Sequence, residues 1–437
     1  MQQTFFYIPH WLLDGPLLIG WLVFGLLVFG FLVWRNGWSA DAFNFLPVYA
    51  IGAVLIYFVI PGIEVTEVNP EDPTGPGVPA GLAIRGYGLM MLLGLVAGIG
   101  LAIYRGRQEG FAPEKIFNLA FCMVISGIIG ARLFYVIQKA DQFAGLPPNE
   151  ALGKMLNMTE GGLVVYGSLI GASLGGLLYV RFAKLPLWHL ADIVAPGMLA
   201  GLALGRIGCL LNGCCYGAVC DAPQIAQQFP AGSPPYVRQL ETGELLGIRA
   251  VTESSTPKPD NESGFLFAES IDPGSLAEQA GVEPGAWFQV WYPDQQLRAV
   301  KERGLDVGQQ IVIRQQGRVI PIRIADLPDR SLGVWPTQLM SAINAFLLML
   351  LLWFYFPLRR SNGQVFALLI ILYSITRFLI ELIRRDEFGQ FGTSLTISQW
   401  ISVLAVGAGF ALFAMAPPRA EHGIQAKHSV DPTPNGV

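Results

Sequence analysis

The chain has 437 residues, of which 52% are hydrophobic and 14% are charged, and its mean hydropathy is +0.47. This composition excludes an ordinary water-soluble domain and predicts a membrane protein. The formal net charge of −4 says little, because the distribution of Lys and Arg between loops carries the information in such a protein. The sequence has no phosphate-cradling Gly-rich loop, and we expect no nucleic-acid partner.

Nine apolar stretches are long enough to cross a bilayer, which takes about 20 residues per helix. They are residues 12–34, 44–62, 84–104, 116–138, 161–181, 190–212, 337–357, 363–385 and 396–416. The fold prediction is an all-α polytopic membrane protein, with seven helices in a core and a small α/β or mainly-β insert. The predicted units are two extra helices (1–66), a Pro/Gly linker (67–80), four core helices (81–220), a loop (221–262), an insert domain (263–330), three core helices (331–417) and a disordered tail (418–437).

Basic residues fall on alternate loops, and the 62–83 loop contains acidic residues but no basic ones. Arg35, Arg105, Arg181 and Arg359 all follow odd-numbered stretches. By the positive-inside rule, this pattern predicts an N-terminus outside the cell, a C-terminus inside, and a polar 213–336 segment outside.

Two of the apolar stretches contain arginine. Arg206 lies in the sixth stretch, where an ionisable residue is costly unless it faces a cavity or a partner. In the eighth, Arg377, Glu381 and Arg384 recur at i, i+4 and i+7 and therefore share one helical face. A structural ion-pair ladder is the alternative interpretation of that stripe. Because the arginine fork matches phosphate oxygens, two such helices predict a site for a phospholipid head group.

Four of the five cysteines lie between residues 209 and 220, at the predicted outer face of the membrane. We interpret them as one disulfide among Cys214, Cys215 and Cys220 that holds the loop after the sixth span. A membrane thiol oxidoreductase is the alternative, although the Cys-x-x-Cys spacing is missing. We predict no metal site, because no His is nearby and the adjacent pair Cys214 and Cys215 suits tetrahedral geometry poorly.

The second half of the polar segment has the pattern of a small domain. A strand is predicted from Gly264, a short helix over 275–281, and a hairpin across Gln316-Gly317. Residues 272–285, Asp-Pro-Gly-Ser-Leu-Ala-Glu-Gln-Ala-Gly-Val-Glu-Pro-Gly, resemble the bacterial extracytoplasmic type of PDZ domain. That resemblance implies a protein or peptide partner bound outside the membrane.

Several segments of the core occur together in a characteristic order. They are Tyr87-Gly88-Leu89-Met90, Gly130-Ala131-Arg132, residues 161–171, Gly205-Arg206-Ile207-Gly208, Asn212-Gly213, Pro336-Thr337-Gln338-Leu339, and Arg377 with Glu381 and Arg384. In these segments the chain resembles the prolipoprotein diacylglyceryl transferase family, over residues 86–413 apart from the insert. The resemblance implies an enzyme of the bacterial inner membrane that needs no cofactor.

In that family a diacylglyceryl group passes from phosphatidylglycerol to the lipobox cysteine of a prolipoprotein. The resemblance implies that the lipobox thiolate attacks and that glycerol phosphate leaves. It implies a catalytic set of Arg206, Arg377, Tyr166 and Glu381. The implied phosphatidylglycerol-binding set is Arg206, Tyr87, Arg132, Asn212, Gly217, Gln338 and Arg384.

The chain departs from the family pattern at several of these positions. Tyr166 stands where the family usually has His, Cys209 where it has Asn, Cys214 where it has Glu, and Trp335 where it has His. A catalytically altered or inactive paralogue that acts as a lipid-binding scaffold is therefore an alternative hypothesis. Transport is a weaker one, because the sequence has no inverted repeat or paired broken helices.

Overall fold

The computed structural model describes residues 4–13, 15–37, 49–50, 52–53, 56–57, 65–67, 78–143, 145, 147–157, 162, 164–220, 222–251, 265–292, 310–384, 393 and 395–416. Within these residues, eight helices are long and apolar enough to span a membrane. They are α1 (Pro16–Asn36), α2 (Gly86–Gln108), α3 (Pro113–Gln138), α5 (Val165–Phe182), α6 (Leu187–Asn212), α9 (Thr337–Tyr355), α10 (Gln364–Glu381) and α11 (Ile397–Met415), and a short helix α4 (Pro148–Leu156) precedes α5. The predicted multi-pass helical fold is confirmed. The predicted stretch 44–62 lies mostly outside the described residues.

Helix ends follow local sequence signals. Pro16 and Pro113 occupy the first turn of α1 and α3, where a missing backbone N–H costs nothing. Gly213 ends α6 in the left-handed conformation, with φ of 78°. Thr396 and Gln399 form a reciprocal capping box at the start of α11. These signals explain why most predicted boundaries lie within a few residues of the observed ones.

The core helices pair through glycines. On α2, Gly98 faces Gly197 of α6 so closely that a Cβ added to Gly98 would lie 2.7 Å from the Gly197 carbonyl oxygen. A Cβ on Gly130 of α3 would lie 2.4 Å from the carbonyl oxygen of Gly167 on α5. Small residues let backbones approach in lipid, where dispersion and not the hydrophobic effect drives association. Helix α6 also packs against α9 and α10, and this central position sets the geometry of its polar end.

A three-stranded sheet precedes the core and corrects one prediction. Its strands are β1 (Thr4–Ile8), β2 (Val65–Glu67) and β3 (Val78–Arg85), in the order β1-β3-β2. The end of the predicted linker 67–80 is therefore part of the central strand of this sheet. Pro79 lies at the edge of this pairing beside a register shift, where the missing N–H is tolerated.

The insert contains a five-stranded antiparallel sheet in which each strand pairs with its sequence neighbour. The strands are β4 (Ile248–Val251), β5 (Leu266–Ile271), β6 (Ala286–Trp291), β7 (Gln310–Gln315) and β8 (Arg318–Arg323). A short helix α8 (Leu276–Ala280) follows β5 and is capped by Ser275. The expected strand, helix and hairpin are thus present, while the likeness to PDZ domains stays a prediction.

The expectation of a loop over 221–262 is wrong in part. Residues 222–251 include the helix α7 (Pro234–Glu241) and strand β4. Tyr236 and Leu240, one helical turn apart, are fully buried in the core of the insert. The high Pro, Gly and Ser content of this stretch concealed the helical i, i+4 spacing of Tyr236 and Leu240. The insert therefore begins earlier in the chain than the sequence predicted.

Candidate functional site

The polar end of α6 carries Arg206, which lies nearly two turns before the capping residue Gly213. Its guanidinium lies close enough to Tyr373 on α10 to interact electrostatically with the tyrosine hydroxyl. Tyr373 precedes Arg377 by four residues, so both side chains lie on the same face of α10. The two arginines that the sequence places on separate spans therefore face one region between α6 and α10.

The charged stripe of α10 is centred on a buried carboxylate. Glu381 is 2% exposed and forms an ion pair with Arg377, while Arg384 approaches it to 3.9 Å. The hydroxyl of Thr396 lies 3.5 Å from Glu381 Oε1, and Arg377 donates to Ser398 Oγ at 3.1 Å. One carboxylate among three arginines leaves excess positive charge in this region, which suits a phosphate ligand.

The loop after α6 is fastened to α9 and to the end of α10. Gln338 Nε2 donates to the carbonyl of Cys214 at 2.9 Å, and the Thr337 hydroxyl donates to the carbonyl of Cys215 at 2.8 Å. Gln338 is fully buried, and its Oε1 has no hydrogen-bond partner among the described residues. An orphaned buried acceptor of this kind is rare, and it marks a place where a donor can be bound.

Gly217 is required by the same fastening. Its N–H donates to the Trp335 carbonyl at 3.0 Å, and an added Cβ would lie 2.5 Å from Trp335 Cβ. The next residue, Ala218, donates its N–H to the carbonyl of Ile383. The loop is thus held against α10, which places the cysteines beside Arg384.

The cysteines differ from the prediction, because all five are free thiols. The expected disulfide among Cys214, Cys215 and Cys220 is wrong for this structure: Cys220 is buried separately, with Sγ 3.8 Å from the carbonyl of Ala222. Instead Cys209, Cys214 and Cys215 converge, with their three Sγ atoms within 4.8 Å of one another. Hydrogen bonding from Cys209 and Cys214, with the nearby arginines, lowers the pKa of the Cys215 thiol.

Tyr87 and Asn212 lie at the rim of this cluster. Tyr87, on the first turn of α2, contacts α6 where a Cβ on Gly208 would meet its ring at 3.3 Å, and it is near enough to Cys209 to interact electrostatically. Asn212 hydrogen-bonds the thiol of Cys214. The structure therefore brings both residues to the end of α6 that holds Arg206.

Arg132 and Tyr166 lie on the separate α3–α5 pair. Arg132 donates to three backbone carbonyls, of Lys154, Met155 and Gly162, at 2.7 to 3.1 Å. These bonds anchor the segment before α5, so the expectation that Arg132 binds phosphate is not supported. Tyr166, on the first turn of α5, is 43% exposed, and its hydroxyl makes no hydrogen bond within the part of the chain that is described.

The sequence analysis missed a buried ionic cluster at the opposite end of α6. Arg359, whose side chain is fully buried, pairs with Glu109 at 2.7 Å and with Asp192 at 3.4 Å, and His189 Nε2 lies 2.8 Å from Glu109. Asp192 also accepts the N–H groups of Gly363 and Phe366 at the start of α10. The available signal was Asp192, an acid near the start of an apolar stretch. The cluster fixes α2, α6 and α10 relative to one another.

An apolar cavity of about 640 Å³ runs between the α2–α6 and α3–α5 pairs. It begins at Met91, one turn below Tyr87, and includes Gly201 of α6 and Ser168 of α5. Its lining is almost wholly aliphatic, which suits hydrocarbon.

Comparisons with known proteins find similar sequences. The family model described as prolipoprotein diacylglyceryl transferase matches residues 78–415. A phosphatidylglycerol–prolipoprotein diacylglyceryl transferase of Rhodopirellula baltica is 35% identical, over 93% of this chain and 88% of the relative. A second such transferase, from Clostridium perfringens, is 28% identical over 76% of this chain and 91% of the relative. One from Dehalococcoides mccartyi is 35% identical over 39% of this chain and 63% of the relative.

Proposed function

This chain belongs to the prolipoprotein diacylglyceryl transferase family, and on that premise we propose how its residues carry out the transfer. The donor is phosphatidylglycerol and the acceptor is the cysteine thiol of a prolipoprotein. The site lies at the polar end of α6, where α9 and α10 meet it. Arg206, Arg377 and Arg384 receive the phosphate, and Glu381 orients Arg377 and Arg384.

The proximity of Arg206 to Tyr373 carries this assignment. It links α6 to the face of α10 that bears Arg377, so both guanidinium groups can contact one phosphate. Guanidinium groups bind phosphate by paired hydrogen bonds, and these bonds are stronger where water is excluded.

The reaction is a displacement at carbon. The lipobox sulfur attacks the glyceryl carbon that bears the phosphate ester, a C–S bond forms, and the C–O bond breaks with its electron pair passing to the phosphate oxygen. Glycerol phosphate leaves, and the thiol proton is lost before or during attack. The phosphate gains a negative charge in this step, so the arginines bind the transition state more strongly than the substrate and lower the barrier.

The apolar cavity between the helix pairs gives a place for the acyl chains. It starts one turn below Tyr87 and continues along Gly94 and Gly201 toward the other face of the membrane. A lipid whose head group lies between α6 and α10 can extend its chains into this space. Tyr87 and Gln338 then lie at head-group depth, where the orphaned Gln338 acceptor suits a glycerol hydroxyl donor.

The test uses the purified full chain in detergent with phosphatidylglycerol and a lipobox peptide. We expect the peptide cysteine to gain one diacylglyceryl group and glycerol phosphate to appear in equal amount. Arg206→Lys and Arg377→Lys should each lower the rate by about 100-fold to 1000-fold, the usual cost of one oxyanion donor. Arg107→Lys, on the opposite end of α2, is the matched control. Phosphatidylglycerol binding without transfer would favour the scaffold hypothesis.

We further place the chain in the inner membrane, with the N-terminus and the insert outside and the C-terminus in the cytoplasm. The distribution of Arg and Lys between loops supports this orientation. Reporter fusions that are active on one side only test it: a periplasm-dependent reporter inserted at Gly317 should be active, and a reporter active only in the cytoplasm should be inactive there.

The insert is proposed to bind an extracytoplasmic peptide by strand addition at β4. Both β4 and β8 are edge strands of the sheet, but β8 contains Pro321, which cannot donate a backbone hydrogen bond. A photo-crosslinking residue at Ala250 of β4 should capture a peptide that the same residue at Val319 of β8 does not. Equal capture at both positions would contradict the proposal.

A further inference from the structure

The end of α6 builds a three-thiol cluster by a defined chain reversal. Gly213 closes the helix in the left-handed conformation, and the N–H groups of Gly213 and Cys214 both donate to the Cys209 carbonyl. This reversal brings Cys214 back toward Cys209 at the end of the helix. Cys215 also has a positive φ, 57°, which is uncommon for a residue with a side chain and turns its thiol toward the other two.

The cluster is held in place from α9. Gln338 and Thr337 bind the carbonyls of Cys214 and Cys215, so the backbone that carries these two thiols is fixed. The left-handed conformation of Cys215 costs free energy and persists only because these contacts determine it. Such strain is typical of functional sites.

The spacing of the sulfurs suits a tetrahedral metal ion. Zn–S bonds of about 2.3 Å place the sulfurs of a tetrahedral site about 3.8 Å apart. The three Sγ atoms lie within 4.8 Å of one another, so a side-chain adjustment of at most about 1 Å brings them to that spacing. We expected the adjacent residues Cys214 and Cys215 to suit tetrahedral geometry poorly. The positive φ of Cys215 lets both thiols approach the same point.

Charge and access support an ion with one open position. All three cysteines are partly exposed, and Tyr87, 39% exposed, lies beside them. Three thiolates around a divalent ion carry one excess negative charge, which Arg206 and Arg384 can balance from nearby. Three protein ligands with one open position are the arrangement of catalytic zinc sites, whereas structural sites have four protein ligands.

We propose that Cys209, Cys214 and Cys215 bind a thiophilic divalent cation of the zinc class, whose fourth position receives the lipobox thiol of the substrate. The role of the fourth position rests on the proposed transferase function, while the metal site does not. Neither the family match nor the names of the relatives refer to a metal. Two of the three thiols, Cys209 and Cys214, stand at the positions where the family pattern has Asn and Glu.

The chemistry balances with the metal ion alone. Each of the three cysteines loses one proton when the ion binds, and the entering substrate thiol loses a fourth as it replaces water. The bound sulfur then attacks the glyceryl carbon, the C–O bond breaks toward the phosphate, and the thioether product leaves the ion because a neutral thioether is a weaker ligand than a thiolate. No electron transfer is needed.

The experiment measures metal binding by the full chain, independently of transfer. Reduced, metal-free protein is titrated with Co²⁺, which reports a tetrahedral thiolate site by its thiolate charge-transfer and ligand-field absorption, and then with Zn²⁺ in competition. We expect one ion per chain. Cys209→Ser, Cys214→Ser and Cys215→Ser should each weaken binding by about 10-fold to 1000-fold, because each removes one of three thiolate ligands. The matched controls Cys122→Ser and Cys220→Ser should bind as the parent chain does.

A lipobox peptide and its serine counterpart then test the fourth position. Only the cysteine peptide should shift the Co²⁺ spectrum, toward that of four sulfur ligands. The metal site would be overturned by a lack of stoichiometric binding or by binding that survives in all three serine variants. A purified chain in which two of the three thiols are already joined in a disulfide would also overturn it. A spectrum indifferent to the cysteine peptide would overturn the assignment of the fourth position. Metal binding in a chain that transfers no lipid would refute the transferase function and leave the metal site standing.

Discussion

Replacing Tyr373 by Phe tests the link between the two arginine-bearing helices. The substitution removes one hydroxyl from α10, and with it the polar group of α10 that lies next to the Arg206 guanidinium. The ring stays, so packing changes little. The Arg206 side chain then populates several orientations, and only some of them align its guanidinium with the phosphate.

The expected size is at most that of a hydrogen bond to a charged group. A hydrogen bond to a charged group contributes about 1.5 to 3 kcal/mol. If that free energy is expressed in the transition state, kcat/KM for phosphatidylglycerol falls measurably, by up to about 150-fold at about 1.4 kcal/mol per factor of ten. The matched control is Tyr179→Phe, which removes a hydroxyl with no hydrogen bond within the described residues of the chain.

The assay follows diacylglyceryl transfer with phosphatidylglycerol varied at a saturating concentration of peptide. A double-mutant cycle with Arg206→Lys isolates the coupling, because Tyr373→Phe should cost much less once the guanidinium is gone. The kcat/KM for the peptide, measured at saturating lipid, should change less than that for the lipid. Parental kcat/KM in Tyr373→Phe, or strictly additive losses in the double variant, would refute the proposed linkage.

Four further changes test other parts of the molecule. Arg132→Met should lower the unfolding temperature but leave the KM for phosphatidylglycerol within about twofold, because its partners are backbone carbonyls and not lipid. Asp192→Asn should cost about 3 to 5 kcal/mol in denaturant unfolding, since it breaks a buried ionic cluster. The charges and hydrogen bonds around Glu109 outweigh its burial and lower its pKa. Its contribution to the free energy of unfolding is therefore present at neutral pH and is lost as pH falls below about 4.5. Glu109→Gln should make the free energy of unfolding fall less steeply at acid pH. Gly217→Ala should cost about 1 to 3 kcal/mol and reduce transfer, because the new Cβ meets Trp335.

Each of these expectations has a result that would contradict it. A tenfold rise in the KM for phosphatidylglycerol in Arg132→Met would show that Arg132 does contribute to binding the phosphate. For the buried cluster, the control is Arg318→Gln, which breaks an exposed ion pair of the insert and should change stability by less than about 1 kcal/mol. If Arg318→Gln and Asp192→Asn lower the free energy of unfolding equally, burial does not explain the effect of Asp192→Asn. If Glu109→Gln leaves the loss of stability at acid pH unchanged, that loss does not come from Glu109.

The sequence by itself determined the membrane helices. An apolar run in lipid must satisfy its backbone hydrogen bonds internally, so hydropathy alone specifies a helix and its approximate ends. It also singled out Arg206 and the stripe of Arg377, Glu381 and Arg384, because charge is rare inside a span and i, i+4, i+7 spacing is local. The short helix and hairpin of the insert were likewise predicted from local capping and turn residues.

Only the tertiary structure decided which of these side chains meet. Gln338 binds the Cys214 carbonyl across 124 residues of sequence, and nothing local to either residue indicates that pairing. The rotation of each helix about its axis gave Arg206 its partner Tyr373 and turned Arg132 toward backbone carbonyls. The reversal at Gly213 and the positive φ of Cys215 made a cluster of three thiols where the sequence suggested a disulfide. Local periodicity sets the elements, but contacts between distant elements depend on how the helices pack, which no single stretch of sequence encodes.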